Sequence, residues 1–385
     1  MQPHPPRPWP LAIGGLIALA AAMGIGRFVY TPILPHMVDA LGLSAAEAGF
    51  IASANFLGYL AGALLAATPW IRGSRRTWLV AALALSAVTT LATGAFASGI
   101  GLGLMRFLGG LASAFVLVFA SSVILERLAQ AGASGLAAVH FAGVGTGIAL
   151  SAALVSALAA SGQPWTVQWF ASGAVALLGA GLVAFLVPPD APAAGTAPQP
   201  PGIAWSPRLA ALVAAYGLFG FGYVITATFL VAIVRGGPEI RHLEPVVWVM
   251  FGLAAVPSVV LWNAVGRRIG IYAAFAAACL VEAVGVAASV LAANTAGVVV
   301  SALFLGGTFM AITALGLVGA RTLTASDPRR VIALMTGAFG VGQIVGPSLA
   351  GAVVDRTGTF VLPSLLAAGA LVLAAILSAP LDRRG

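Results

Sequence analysis

Charged residues are spaced far apart along this chain, and between them run long stretches that are apolar on every side. A barrel strand would alternate apolar and polar residues, and a soluble helix would keep a polar face. Neither pattern is present, and about 20 mostly apolar residues suffice to cross a bilayer as a helix. The runs, punctuated by Arg, Gly and Pro, predict twelve transmembrane helices at 11–38, 46–69, 76–98, 100–125, 133–160, 165–187, 208–235, 244–265, 269–293, 297–324, 330–354 and 359–380. The division between the third and fourth is the thinnest, resting on "ASGIG" alone.

The segment "VPPDAPAAGTAPQPPGIAWSP" separates spans six and seven and holds almost no large apolar side chain, as a linker would. It divides the chain into an N-terminal half at 1–187, a linker at 188–207 and a C-terminal half at 208–385. The halves repeat each other. "FLGG" at 107–110 recurs at 304–307, and "GVG" at 143–145 recurs at 340–342. "GIG" at 24–26 is matched by "GFG" at 220–222, and "SRR" at 74–76 by "GRR" at 266–268. Four matches in order, after corresponding spans, predict two six-helix pseudo-symmetric halves in parallel repeat. Such an architecture suits a transporter whose site lies at mid-membrane between the halves.

Composition agrees: 61% of residues are hydrophobic and only 7% charged, with a mean hydropathy of +1.06. A soluble domain carries about 25% charged residues. The net charge of +8 comes wholly from arginine, for all 18 basic residues are Arg. The lack of Lys, with abundant Ala and Gly, suggests a GC-rich bacterial genome. Basic residues in such a chain set its orientation in the membrane, so they are not a nucleic-acid signature. With both termini cytoplasmic, 13 arginines face inward, three (Arg235, Arg241, Arg356) face outward, and two (Arg27, Arg106) lie within spans. This predicts a multi-pass protein of the bacterial inner membrane. The apolar stretch after "MQPHPPRPWP" shows no clear cleavage site and is expected to be a retained first span. Cys279 is the single cysteine, which excludes an intrachain disulfide. No metal-ligand cluster, cofactor motif or nucleophile–base pair is visible, so an enzyme is not expected.

The chain resembles the major facilitator superfamily over essentially its whole length. "WIRGSRR" after span two and "AVGRRIG" after span eight are similar to that superfamily's basic loop motif, each without its usual acidic member. "MRFLGG" resembles the span-four motif, with Arg106 in the arginine position, and "HFAGVGTGIALSA" resembles the glycine-rich motif of span five without its Gly-Pro pair. More narrowly, "GIGRFVYTPILPHM" followed by "LSAAEAGFIASANFLGYLAGALL" is similar to the start of the YbfB/YjiJ family. The resemblance implies a secondary active transporter, working by alternating access as a monomer, with protons as the driving ion. It places spans one, four, seven and ten around a central cavity and spans three, six, nine and twelve at the periphery. The gating residues it implies are Arg72, Arg75, Arg76, Gly266, Arg267 and Arg268.

Polar residues inside the membrane are the candidates for function. Arg27 lies about 16 residues into span one, roughly 24 Å from its inner end, at a cost of at least about 2.5–3.5 kcal/mol on insertion scales. It is either a substrate group facing the cavity or a structural cation for carbonyls freed by Pro32 and Pro35. Arg106 is either cavity lining or packing support beside Gly109 and Gly110. Glu282, the one acid within a span, and His140 are coupling candidates together with Arg106. For Glu282 the alternative is a structural or lipid-facing neutral acid, and for His140 a satisfied packing residue. His36 and Asp39 form an outer pair. Tyr30, Asn55, Tyr59, Tyr216, Tyr223, Thr226 and Gln343 complete the expected substrate-binding set. Two arginines against one acid favour a small organic anion as solute. The alternatives are efflux of neutral or lipophilic compounds, or a transport-inactive receptor or assembly protein on the same fold.

Overall fold

Among the described residues, twelve helices are long and apolar enough to cross a membrane: Pro8–Leu41, Ala45–Ala66, Arg75–Thr93, Gly99–Gln130, Ser134–Ala160, Trp165–Leu186, Pro207–Gly236, Arg241–Ile269, Ile271–Leu291, Thr295–Thr322, Arg330–Thr357 and Val361–Leu381. They are numbered here as spans one to twelve. The computed structural model describes residues 8–68, 70–189, 205–324 and 328–382. Arg7, Arg383, Arg384, the side chain of Arg329 and most of the expected linker lie outside the described residues. Among the described residues all regular structure is helical, as the all-α expectation required.

Local sequence sets the helix ends. Ser44 and Glu47 form a reciprocal capping box at the start of span two. Ser74, Ser98, Ser206 and Asn294 each accept a backbone N–H at the start of spans three, four, seven and ten. Ser98 resolves the thin third division. Span three ends at Thr93, earlier than the apolar pattern suggests, and span four runs on to Gln130.

Span one departs from the single unbroken helix the sequence predicts. An α-helix at Pro8–Leu19 widens into a π-helical turn at Ala20–Ile25, loosens over 26–29, and resumes at Tyr30–Leu41. The Gly26 N–H reaches back five residues to the Ala21 carbonyl (2.9 Å), and the Phe28 N–H to that of Met23 (3.2 Å). The Thr31 N–H turns to Phe28 (3.3 Å) instead of Arg27, and Pro32 has no N–H to offer. The Arg27 carbonyl is thereby left without its helical donor. Gly24 packs on the backbone of Gly147 in span five, and Gly147 on that of Ala20, so closely that neither glycine has room for a Cβ. Breaks of this kind in a membrane helix persist only where protein satisfies the freed groups.

Arg106 of span four does so. Its Nη1 donates to the Gly26 carbonyl (2.8 Å) and its Nη2 to the Arg27 carbonyl (2.6 Å). Asn55 of span two donates to the backbone carbonyl of Arg106 (2.8 Å), so spans one, two and four are tied at one level.

The principal contacts between the two sets of six spans pair span two with eleven and span five with eight. They run from mid-membrane to the face opposite the termini. Gly49 lies on the Pro347 carbonyl with no room for a Cβ. Ser53 donates to the Ile344 carbonyl (2.7 Å) and accepts from Ser348 (2.8 Å), and Thr31 donates to the Ala227 carbonyl (2.8 Å). At the end of span eleven, the Asp355 carboxylate accepts the N–H groups of Ala45 and Ala46 (2.9 and 3.1 Å), capping span two from the other half. Arg235, at the end of span seven, pairs with Asp39, with Glu244 (3.1 Å) and with Nδ1 of His36 (3.3 Å).

Two outcomes are expected. Arg106→Met leaves two buried carbonyls without donors, at about 1–3 kcal/mol each, and the detergent-solubilised protein melts several degrees lower; an unchanged melting temperature overturns this role. Arg235→Gln removes partly exposed ion pairs worth about 0–1 kcal/mol. A maleimide approaching from the face opposite the termini then labels Ala52→Cys, in a Cys279→Ser background, up to roughly five-fold faster. Equal labelling rates mean that Arg235 does not hold that face shut.

Candidate functional site

The loosened turn of span one carries Arg27 into the contact between the halves. Its side chain is buried, and its guanidinium lies over the rings of Tyr59 (4.1 Å), Phe56 (4.8 Å) and Phe28 (5.5 Å). Nη2 donates to Oε1 of Gln343 in span eleven (3.0 Å), and Nε has no acceptor. Among the described residues no carboxylate lies within ion-pair reach of Arg27 or Arg106. Cation–ring contacts are worth about 0.5–2 kcal/mol each, and a hydrogen bond to a charged group about 1.5–3 kcal/mol. Together they match the cost of placing the charge at this depth without a counterion.

Across the contact, Gln343 donates in turn to the hydroxyl of Tyr223 in span seven. Tyr223 stands in span seven where Arg27 stands in span one, by the 196-residue offset of the repeat. Its ring is near parallel to Phe339 (4°, centroids 5.7 Å) and to Phe309 (17°, 5.9 Å). Tyr216 joins the same group through Phe339 (5.2 Å) and donates to the Thr313 carbonyl (3.3 Å). Phe28 closes the circuit by meeting Phe309 edge-on (5.9 Å). A cavity of about 10 Å³ remains, lined by Arg27, Arg106, Tyr30, Phe56 and, from span seven, Ala227 and Thr228. That is room for one water, so an organic solute could enter only if the halves part.

Of the expected binding residues, Arg27, Tyr59, Tyr216, Tyr223 and Gln343 come together. Arg106, Asn55 and Tyr30 form a second layer. Tyr30 donates to the Ala48 carbonyl (2.8 Å) beneath the Arg106 guanidinium (5.2 Å), so its polar contact stays within the first six spans. Thr226 is buried one turn beyond Tyr223 with its hydroxyl unpartnered. His140 shares no contact with Arg27. It lies closer to the terminal face, against Ser121 of span four (3.1 Å) and the space left by Gly15. Glu282 is fully buried in span nine beside Thr308 of span ten, so it faces protein rather than lipid.

The basic clusters act within halves. Arg75 bonds Glu126 (2.6 Å) and Ser122 (3.0 Å) of span four, and Arg76 the carbonyls of Ala184 and Val187 at the end of span six (2.5 Å each). Glu126 thus supplies the acid that the loop motif lacks. The Arg72 carbonyl accepts from Trp78 (2.9 Å). Gly266 is buried facing Leu315, while Arg267 and Arg268 are exposed. The ring partners Phe28, Phe56, Phe309 and Phe339 were not among the sequence candidates, because a phenylalanine in a membrane helix gives no sign of which way it faces.

Comparison with known proteins is consistent with this geometry. The fold is similar to that of the nucleoside transporter NupG, with a TM-score of 0.71 at 16% identity over 98% of this chain and 99% of that one. A single-residue variant of NupG gives 0.77 at 16% identity, over 97% and 100%. At this identity the likeness is one of fold. No curated protein matches the chain. A family model described as "Uncharacterised MFS-type transporter YbfB" matches residues 19–379, and by that match the chain belongs to the YbfB family of transporters in the major facilitator superfamily.

Proposed function

We propose that the protein is a proton-driven secondary active transporter of a small organic anion, in the bacterial inner membrane with both termini cytoplasmic. Residues 1–187 and 208–385 act as the two rocking halves. The carrying observation is Arg27: a buried cation at the contact between halves whose polar side-chain partners, Gln343 and Tyr59, are both neutral. A guanidinium whose partners are all neutral can take an anion as its counterion. Arriving solute displaces Gln343, and because Gln343 belongs to the other half, binding loosens the tie between them. Differential contact of this kind is what lets a ligand shift a conformational equilibrium.

Glu282 is the proton carrier in this reading. It is buried with no basic residue in reach among the described residues, and through Thr308 it borders span ten. Arg106 is committed to span-one carbonyls and His140 sits away from the contact, which leaves the carboxyl as the better-placed group.

In proteoliposomes, Arg27→Gln is expected to lose anion uptake while keeping its fold. Loss of a charge-assisted bond of about 1.5–3 kcal/mol corresponds to roughly a ten- to hundred-fold weaker apparent affinity. Unchanged uptake of every anion carried by the wild type sinks the assignment. Glu282→Gln is expected to keep solute exchange between equal pools but lose accumulation driven by a pH gradient. Accumulation at the wild-type level removes Glu282 from the coupling step.

A further inference from the structure

Resting on the anion reading above, we propose that the solute is an aromatic monocarboxylate: its carboxylate replaces Gln343 on Arg27, and its ring lies against Tyr223, Phe309 and Phe339. The first argument is the edge of the guanidinium. Nε and Nη2 point the same way and together match the two oxygens of one carboxylate. Here Nη2 holds a single glutamine oxygen (3.0 Å), and Nε is buried with no acceptor. The edge is half filled by a neutral group, and a carboxylate would fill it.

The count of charges gives the "mono". Arg106, the other intramembrane arginine, also has an Nε without an acceptor, but both its terminal nitrogens are bonded to backbone carbonyls, of Gly26 and Arg27, that a solute cannot displace as it can a glutamine side chain. A second carboxylate would find at most the single Nε–H of Arg106 and would be left largely desolvated.

The surroundings give the ring. Tyr59 and Phe56 cover the faces of the Arg27 guanidinium and leave its edges; the edge that bears Nη2 meets Gln343 and, beyond it, Tyr223. There Tyr223 stands near parallel to Phe339 (4°) and to Phe309 (17°), with Phe219 stacked on it as well (26°, 5.2 Å). Flat rings stacked on such a wall gain beyond their buried area, a gain that a saturated ring of equal size does not share. The stack carries few polar groups: the Tyr223 hydroxyl, held by Gln343, the Tyr216 hydroxyl, spent on the Thr313 carbonyl, and the unpartnered hydroxyl of Thr226 one turn on from Tyr223. A hydroxyl-rich solute would therefore lose most of its hydrogen bonds here.

The test is direct binding to the purified full-length protein, by calorimetry and thermal shift at neutral pH, where the acids are ionised. The aromatic acids are benzoate, phenylacetate and 1-naphthoate. The controls are cyclohexanecarboxylate, hexanoate, phthalate, benzamide and uridine. Aromatic monocarboxylates are expected to bind at least five-fold more tightly than the saturated acids and phthalate, with no binding of benzamide or uridine. Arg27→Gln loses every acid. Tyr223→Leu, or Phe309→Leu should the first not fold, removes the preference for aromatic over saturated acids while both still bind. Equal affinity for benzoate and cyclohexanecarboxylate overturns the ring assignment and leaves the anion reading standing. Binding of benzamide or uridine but of no acid overturns both. Failure of all three aromatic acids to bind while hexanoate binds overturns the proposal alone.

Discussion

A guanidinium held in hydrocarbon must be solvated by the protein, and here each element near mid-membrane answers to that requirement. Arg27 takes ring faces from spans one and two and an amide from span eleven. The amide is fixed by Tyr223 of span seven, and the tyrosine by the ring stack it shares with spans ten and eleven. Through one charge, helices more than 300 residues apart in sequence become neighbours. The compensation is made of weak, neutral contacts rather than an ion pair. A carboxylate partner would bind the charge too well to yield to a solute, whereas a glutamine can be exchanged.

The same charge explains why span one is broken. A continuous helix would leave Gly26 and Arg27 with ordinary helical bonds and Arg106 with no acceptor. The π-turn and the loosened segment after it expose those two carbonyls, and Arg106 closes on them. Two buried arginines at one level therefore do opposite work. Arg106 has both terminal nitrogens held by backbone carbonyls, only its Nε lacking an acceptor, and behaves as a rivet. Arg27 keeps an open edge. Mutual repulsion is limited because the Arg106 fork lies on the negative ends of peptide dipoles.

Much of this was legible in the sequence, for physical reasons that also explain the remainder. A membrane forces each span to declare itself by length and hydropathy, so the twelve helices could be read directly. Arg27 and Gln343 stood out because polar groups in such runs are costly. The break in span one had a visible signal in Gly24, Gly26, Pro32 and Pro35, yet which arginine met the freed carbonyls depended on spans one and four crossing at that level. The alternative posed for Arg27 thus turned out to describe Arg106. Glu126 was hidden as the partner of Arg75 because the acid of the loop motif was sought in the loop and is supplied by another span. Asp355 likewise caps a helix about 310 residues away.

The repeat frames the chemistry of the contact. Arg27 and Tyr223 occupy equivalent places in spans one and seven, and each lies beside a matching Gly-x-Gly stretch. The glycines fit their neighbours in both halves: Gly24 meets Gly147 of span five, and Gly220 meets Phe339 of span eleven, each without room for a Cβ. The packing is thus conserved between halves while the functional side chain is not. Two tyrosines at these places would give a stack with no charge. Two arginines would face each other across the contact with no acid to separate them. One of each, bridged by Gln343, gives a site with a cationic wall on one side and an aromatic wall on the other. In the reading proposed above, a solute bearing both characters engages both halves at once, which is the condition for its binding to govern how they move.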